Sequence, residues 1–172
     1  AGGGSICDFD GHKLTVGPHS AGASPGPACY GAGGSLTLTD VNLLVGKIAI
    51  QHFTIPLYRK QAENALRKVI SKIYKHTGKQ PKKEHLFDSF LKKKKKKMSE
   101  AIRKVSVQFG HNPIDYSLLS FGGAGGQHAC ALAQLLGTKK ILIPYDAGLL
   151  SAYGIGHADV THFEEQLILA PL

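Results

Sequence analysis

Apolar positions recur every three or four residues in two long segments and cluster in short runs elsewhere, so the chain reads as a mixture of helices and strands. Ala62, Ala65, Leu66, Val69, Ile70 and Ile73 define one face of a helix over residues 58–75, with Lys and Arg elsewhere and Gly78 beyond its end. Leu86, Phe87, Phe90, Leu91, Met98, Ile102 and Val105 predict a second helix over residues 84–107. Its stripe should pass through position 94 or 95, where lysine stands; the six lysines at 92–97 wrap more than one turn and put charge on the buried face. Before these helices, residues 5–9 and 13–16 read as two strands joined by the turn signal Asp10-Gly11. Thr39 is expected to cap a short helix over residues 41–45 that Gly46 ends. After them, 141–143 reads as a buried strand closed by Pro144, and 148–158 as a small-residue helix that can pack closely on a sheet.

The chain is organised around residues 118–136, LLSFGGAGGQHACALAQLL, where a run of strand-formers meets five small residues and continues into a helical pattern ended by Gly137. With the strand at 141–143 this makes a strand-helix-strand unit, whose strands should be parallel neighbours. The first turn of such a helix has unpaired N–H groups and a partial positive charge, which suits an anionic ligand. Gly122, Gly123, Gly125 and Gly126, with Ala124, let the main chain lie against a nucleotide, and Gln127 and His128 follow directly. A connection needing glycine only for close packing remains the alternative. The loop is not a Walker loop, since no Gly-Lys-Ser/Thr follows, and its spacing does not fit GxGxxG. His128 could face phosphate or substrate, or be a core histidine bonded to backbone.

Residues 16–34, VGPHSAGASPGPACYGAGG, are too rich in proline and glycine for a regular helix or a central strand. They read as an ordered loop in preference to a linker, because Cys29, Tyr30 and the alanines are unlike a solvating tail. Ser20, Pro27, Cys29 and Tyr30 are its candidate substrate-region residues. A thiol nucleophile at Cys29 would need a neighbouring base that the sequence does not reveal. Asp40 is either a first-turn carboxylate facing the helix dipole or a ligand-facing group.

Composition changes this picture in one respect. The net charge of +9 suggests nucleic acid or an acidic surface as partner, yet seventeen Lys or Arg face four Asp or Glu between positions 59 and 104, while the rest carries four against eight. No aromatic residues interleave with the basic ones on the first helix, as single-stranded nucleic-acid binders require, so its charge reads as a solvated face. Three cysteines in no CxxC pair argue against a disulfide framework or a zinc ribbon, and the histidines lack metal-ligand spacing. No run approaches the roughly 20 apolar residues of a membrane span, and no signal-peptide pattern opens the chain, so a cytoplasmic location without membrane contact is expected.

FGGAGGQHACALA at 121–133, together with AGGGSI at 1–6, the Pro-Gly segment at 16–34, TLTDVNLLVGKI at 37–48 and GLLSAYG at 148–154, resembles in order the signatures of the hydantoinase A and 5-oxoprolinase family. The resemblance covers nearly the whole chain. It implies an α/β fold, one lobe of an actin-like (ribonuclease H-like) ATPase with a mainly parallel sheet and packed helices. Residues 1–172 would be a single partial domain, with a strand-and-loop region at 1–48, a helical region at 58–109 and a nucleotide-loop region at 117–160. It further implies ATP-dependent opening of a cyclic amide, 5-oxoproline or a hydantoin, with Mg²⁺ neutralising the phosphates. On that basis residues 122–127 contact the adenosine side of ATP, and His128 and Asp40 are the candidate catalytic residues, with no metal ligands assigned.

The family's two phosphate loops lie upstream of AGGGSI, so the chain is expected to be a fragment with weak or undetectable ATP binding and no turnover alone; micromolar ATP affinity by calorimetry would overturn this. Expected partners are the cyclic amide, the remainder of a parent chain, a hydantoinase B-type subunit or domain, and further copies in a homo-oligomer, with no nucleic acid. Family members carry an ordinary mixed helix where this chain has lysines 92–97, so the run reads as a placeholder or sequence error, which peptide mass spectrometry finding six lysines would reject. The competing reading is a non-catalytic basic module binding nucleic acid or acidic surfaces through residues 59–104, with steep salt dependence.

Overall fold

The computed structural model describes residues 3–166. Strands β1 (Ser5–Phe9) and β2 (Leu14–Ser20) form an antiparallel hairpin in which Cys7 pairs with Val16 and Phe9 with Leu14. Asp10 shapes the turn by accepting the N–H groups of His12 and Lys13, each at 2.9 Å. β2 runs to Ser20 instead of ending near Val16, because Ser5 pairs with Ser20 after an irregularity in the register. Pro18 falls between the Cys7–Val16 and Ser5–Ser20 pairs, in the irregular stretch of the register where a proline is tolerated.

The Pro-Gly segment is an ordered loop. It folds back on itself through the N–H of Ala28 donating to the carbonyl of Ser35, contains a single 3-10 turn at Ala28–Tyr30, and returns to the hairpin where the N–H of Cys7 donates to Leu36. Helix α1 (Leu38–Leu44) follows. Its N-cap is Thr37 and not Thr39, because Thr37 and Asp40 stand three residues apart and cap each other's end of the first turn.

Helices α2 (Arg59–Thr77) and α3 (Lys83–Gln108) cover the hairpin. All six apolar positions expected on α2 are buried, and Gly78 closes it in the left-handed conformation. All but Ala62 join Cys7, Val16, Leu36, Leu38, Val41, Leu86, Phe90 and Leu91 in the main core, while Ala62 packs with Cys29, Leu43 and Ile48 in a second cluster. α3 buries Leu86, Phe90 and Leu91 in its first half, and the stripe then reaches Lys94, only 4% exposed, whose ammonium donates to Ser5 Oγ at 3.1 Å. Lys93 and Lys97 donate to the carbonyls of Leu14 and Val16 at 2.6 and 2.8 Å. The lysine run thus grips the hairpin backbone instead of facing water throughout.

Strands β3 (Ser117–Leu119) and β4 (Lys140–Leu142) are parallel neighbours, joined through α4 (Gly126–Leu136) as the strand-helix-strand pattern requires. α5 (Leu150–Gly156) buries none of its residues, leaving Tyr153 and Ile155 open instead of packing on the sheet. No helix among the described residues is long and apolar enough to cross a membrane.

Candidate functional site

The glycine loop leaves β3, turns over residues 121–125 and enters α4. The N–H of Gly122 donates to Ala147 at 2.7 Å, pinning the loop to the segment after β4, and that of Gly125 donates to Gly122 at 3.2 Å. Gly125 is required by packing, since a Cβ there would stand 2.3 Å from the carbonyl oxygen of Phe121. Gly123 and Gly126 are not, since a Cβ at either meets nothing within 4 Å among the described residues. The loop opens onto a recess of about 310 Å³ lined by Met98, Phe121, Gly122, Gly123, Ala124, Gly125 and His128. The two readings of the glycines therefore apply to different positions.

His128 forms part of the recess wall. It is 3% exposed, and its Nε2 has no hydrogen-bond partner among the described residues. Burial, and then the charges of Lys94, Lys47 and Lys95, push its pKa below the ordinary value of 6.5, so the ring is neutral at physiological pH. A neutral imidazole with a free nitrogen, surrounded by lysine charges, can accept a proton or donate a hydrogen bond to an anionic ligand. Neighbouring Gln127 is half-buried and accepts the side-chain N–H of Asn42 at 2.5 Å.

Asp40 sits elsewhere, fully buried under the Pro-Gly loop. Its Oδ1 accepts the N–H of Cys29 at 2.7 Å, and its Oδ2 accepts the N–H groups of Ala28 and Thr37 and the Thr37 hydroxyl at 3.1, 2.7 and 2.8 Å. Four donors occupy the carboxylate, so its geometry is that of an anchor for the loop, and the ligand-facing alternative has no lone pair turned to solvent to support it.

Cys29 is fully buried, and burial together with the adjacent Asp40 carboxylate drives its thiol pKa far up, so an activated thiolate nucleophile is inconsistent with this environment. Pro27 is buried beside it and Tyr30 is half-buried. Ser20 is exposed at the end of β2, where its hydroxyl accepts the N–H of Gly22 at 3.2 Å. Pro27, Cys29, Tyr30 and Asp40 thus form one group and residues 122–128 another, with Ser20 apart from both. No cluster of three or more metal-ligating side chains occurs among the described residues.

Two residues of this region were not singled out by the sequence reading as site residues. Asn42, 1% exposed between buried Val41 and Leu43, bridges the two groups, and its signal was a polar residue within the apolar run at 41–44. Met98 lines the recess from α3, which periodicity places on the buried stripe but cannot aim at a loop more than 20 positions away.

The profile of the hydantoinase/oxoprolinase family matches residues 1–164. The chain is 41% identical to the 5-oxoprolinase PfmaA of Pestalotiopsis fici over 170 residues, which cover 94% of this chain and 13% of that protein. It is 40% identical over 177 residues to the caprolactamase subunit alpha of Pseudomonas jessenii, covering 100% of this chain and 24% of the relative. The chain therefore spans between about an eighth and a quarter of the length of these relatives. The crystal structure of the ATP-dependent caprolactamase from Pseudomonas jessenii superimposes with a TM-score of 0.75 at 42% identity, over 90% of this chain and 22% of that one. The nucleotide-free structure of an acetone carboxylase shares the fold, with a TM-score of 0.76 at 23% identity over 92% of this chain and 22% of that one. The α/β architecture is of the actin-like ATPase type that these neighbours share, and this chain belongs to the hydantoinase/oxoprolinase family.

Proposed function

We propose that the chain supplies the adenosine side of the nucleotide site in an ATP-dependent hydrolase of cyclic amides, with 5-oxoproline or a hydantoin as substrate. The observation that carries this is the open glycine face of the recess. Gly123, which lines the recess, has no neighbour that a Cβ would strike, so main-chain packing within the described residues does not account for it, whereas a nucleotide lying against the backbone does. The start of α4 adds partial positive charge, and the wall supplies the unpartnered His128 nitrogen.

An amide resists attack because its nitrogen lone pair is delocalised into the carbonyl. Bound ATP would supply a phosphoryl group for the amide oxygen, turning a poor leaving group into a good one. The residues of this chain would bind and orient: residues 122–127 through their backbone, and His128 by holding a hydrogen bond or a proton at Nε2. The recess lining offers no carboxylate, so it does not fit Mg²⁺, and no coordination of that ion is assigned here. Asp40 acts through the loop that it anchors. Ser20 is exposed enough to meet a substrate, while the buried Pro27 and Cys29 and the half-buried Tyr30 shape the Pro-Gly loop. The location is taken to be cytoplasmic, with the remainder of a longer parent chain, a hydantoinase B-type subunit or domain, and a homo-oligomeric assembly as partners. The ammonium groups of Lys93, Lys94 and Lys97 are tied to the hairpin and Lys72 is paired with Asp8 at 2.7 Å, which leaves the competing basic-surface reading fewer freely placed cations than the composition suggests.

The test is ATP hydrolysis by the intact protein with and without 5-oxoproline, a hydantoin or caprolactam. Stimulation by a cyclic amide, lost in Gly123→Val without loss of folding, is expected. Hydrolysis indifferent to every cyclic amide, or full activity in Gly123→Val, would refute the assignment.

A further inference from the structure

We infer that Asn42 is a positioning residue for the nucleotide loop, holding Gln127 and so fixing the entry of α4 to the helix that also anchors the Pro-Gly loop. The inference rests on the ATP-site reading above. Asn42 lies on α1 two residues after Asp40, and the N–H of its side chain donates to Gln127 Oε1 at 2.5 Å. Among the described residues this is the one side-chain hydrogen bond joining α1 to α4. Gln127 follows the glycine loop directly, in the first turn of α4.

The internal bonds from Gly122 to Ala147 and from Gly125 to Gly122 fix the loop's start and middle. The Asn42 bond fixes its end. One helix thereby holds both groups of candidate residues: Asp40 grips the backbone at Ala28 and Cys29, and Asn42 grips the first turn after Gly126.

The cost of this arrangement argues that it does more than fill space. Val41 and Leu43 flank Asn42 on a buried helix, and an apolar side chain there would leave no polar atom unmatched. Asn42 Oδ1 has no partner, and exchanging the amide oxygen and nitrogen of Asn42 and Gln127 together would retain their bond. The only other buried side-chain atom without a partner among the described residues is Nε2 of His128, the residue after Gln127. Both unmatched atoms thus belong to residues at or next to the same link.

A ligand lying on residues 122–126 meets a backbone whose far end is held through Gln127. Removing the Asn42 amide leaves the recess intact but lets that end move. Nucleotide affinity then falls, while the rate from the fully bound state is preserved.

The experiment uses the intact protein, comparing Asn42→Ala, Gln127→Ser and the exchange N42Q/Q127N, which keeps the amide pair and its combined length. Loss of one buried hydrogen bond should raise the KM for ATP about fivefold in both single variants, with kcat within about twofold in Asn42→Ala. Hydrogen exchange should quicken at residues 122–127 without nucleotide, and the exchanged pair should recover most of the KM. An unchanged KM for ATP in both single variants overturns the inference and leaves the ATP site standing. A raised KM accompanied by faster exchange throughout the chain also overturns it, because Asn42 would then be structural only. A wild-type protein that neither binds nor hydrolyses ATP refutes the ATP-site reading itself, and this inference with it.

Discussion

Two glycines two positions apart in the same loop should respond unequally to alanine. At Gly125 an added Cβ would stand 2.3 Å from the Phe121 carbonyl oxygen and 3.1 Å from Ser120 Oγ. The first contact is with backbone, so no side-chain rotation relieves it and the loop must shift against β3. Overpacking of this kind costs roughly 1–3 kcal/mol. Gly125 has helical dihedrals, φ −59° and ψ −50°, so the reduced freedom of alanine in the unfolded chain returns about 0.4–1 kcal/mol. The net expectation is a loss of roughly 1–2 kcal/mol, or about 2–8 °C in Tm for a domain of this size. At Gly123 the added methyl meets open space, so Gly123→Ala should leave Tm within about 1–2 °C of wild type while intruding on the recess. Thermal unfolding followed by circular dichroism measures both. Equal Tm values for Gly125→Ala and Gly123→Ala would refute the division of the loop into packing and ligand-facing glycines.

Other substitutions probe the supports of the site. Asp40→Asn replaces an acceptor-only carboxylate by an amide that turns an N–H toward one set of donors; denaturant unfolding should show a loss of about 3 kcal/mol, and a loss below roughly 1 kcal/mol would mean that Asp40 does not anchor the loop. His128 has a depressed folded pKa, so below about pH 6.5 the unfolded chain binds its proton more readily and acid erodes stability, an effect fully absent well above that pH. His128→Gln should therefore lose less Tm than wild type between pH 7 and roughly pH 5, and parallel pH profiles would contradict the buried, neutral ring. Lys94→Met should stabilise the chain by about 1 kcal/mol or more, since it removes a buried ammonium whose bonded partner, Ser5 Oγ, is neutral; destabilisation would show that the lysine is well accommodated.

The helices were legible because their apolar positions repeat with a single period. The buried face of α2 is the face that the spacing of Ala62 through Ile73 requires. The hairpin was legible from Asp10-Gly11, and the parallel pair from the strand-helix-strand order. The cap of α1 was misplaced by two residues because Thr37 and Thr39 are both good caps, and only the capping box with Asp40 separates them. The periodicity of α3 carries its buried stripe through position 94 or 95, but the bond of Lys94 to Ser5, 89 positions earlier, depends on the crossing of α3 over the hairpin and leaves no local trace. The same limit applies within the site. The glycine loop announces itself by composition, whereas the roles of Asp40 and Asn42 depend on what the fold brings to them. Asp40 carries the same residue type whether it faces a ligand or four donors, and only the return of the Pro-Gly loop onto α1 distinguishes these.

Hydrogen exchange of the intact protein, with and without saturating ATP, tests the central claim most directly. The account predicts slower exchange concentrated at residues 122–128. ATP-dependent activity accompanied by unchanged exchange across these residues would contradict it.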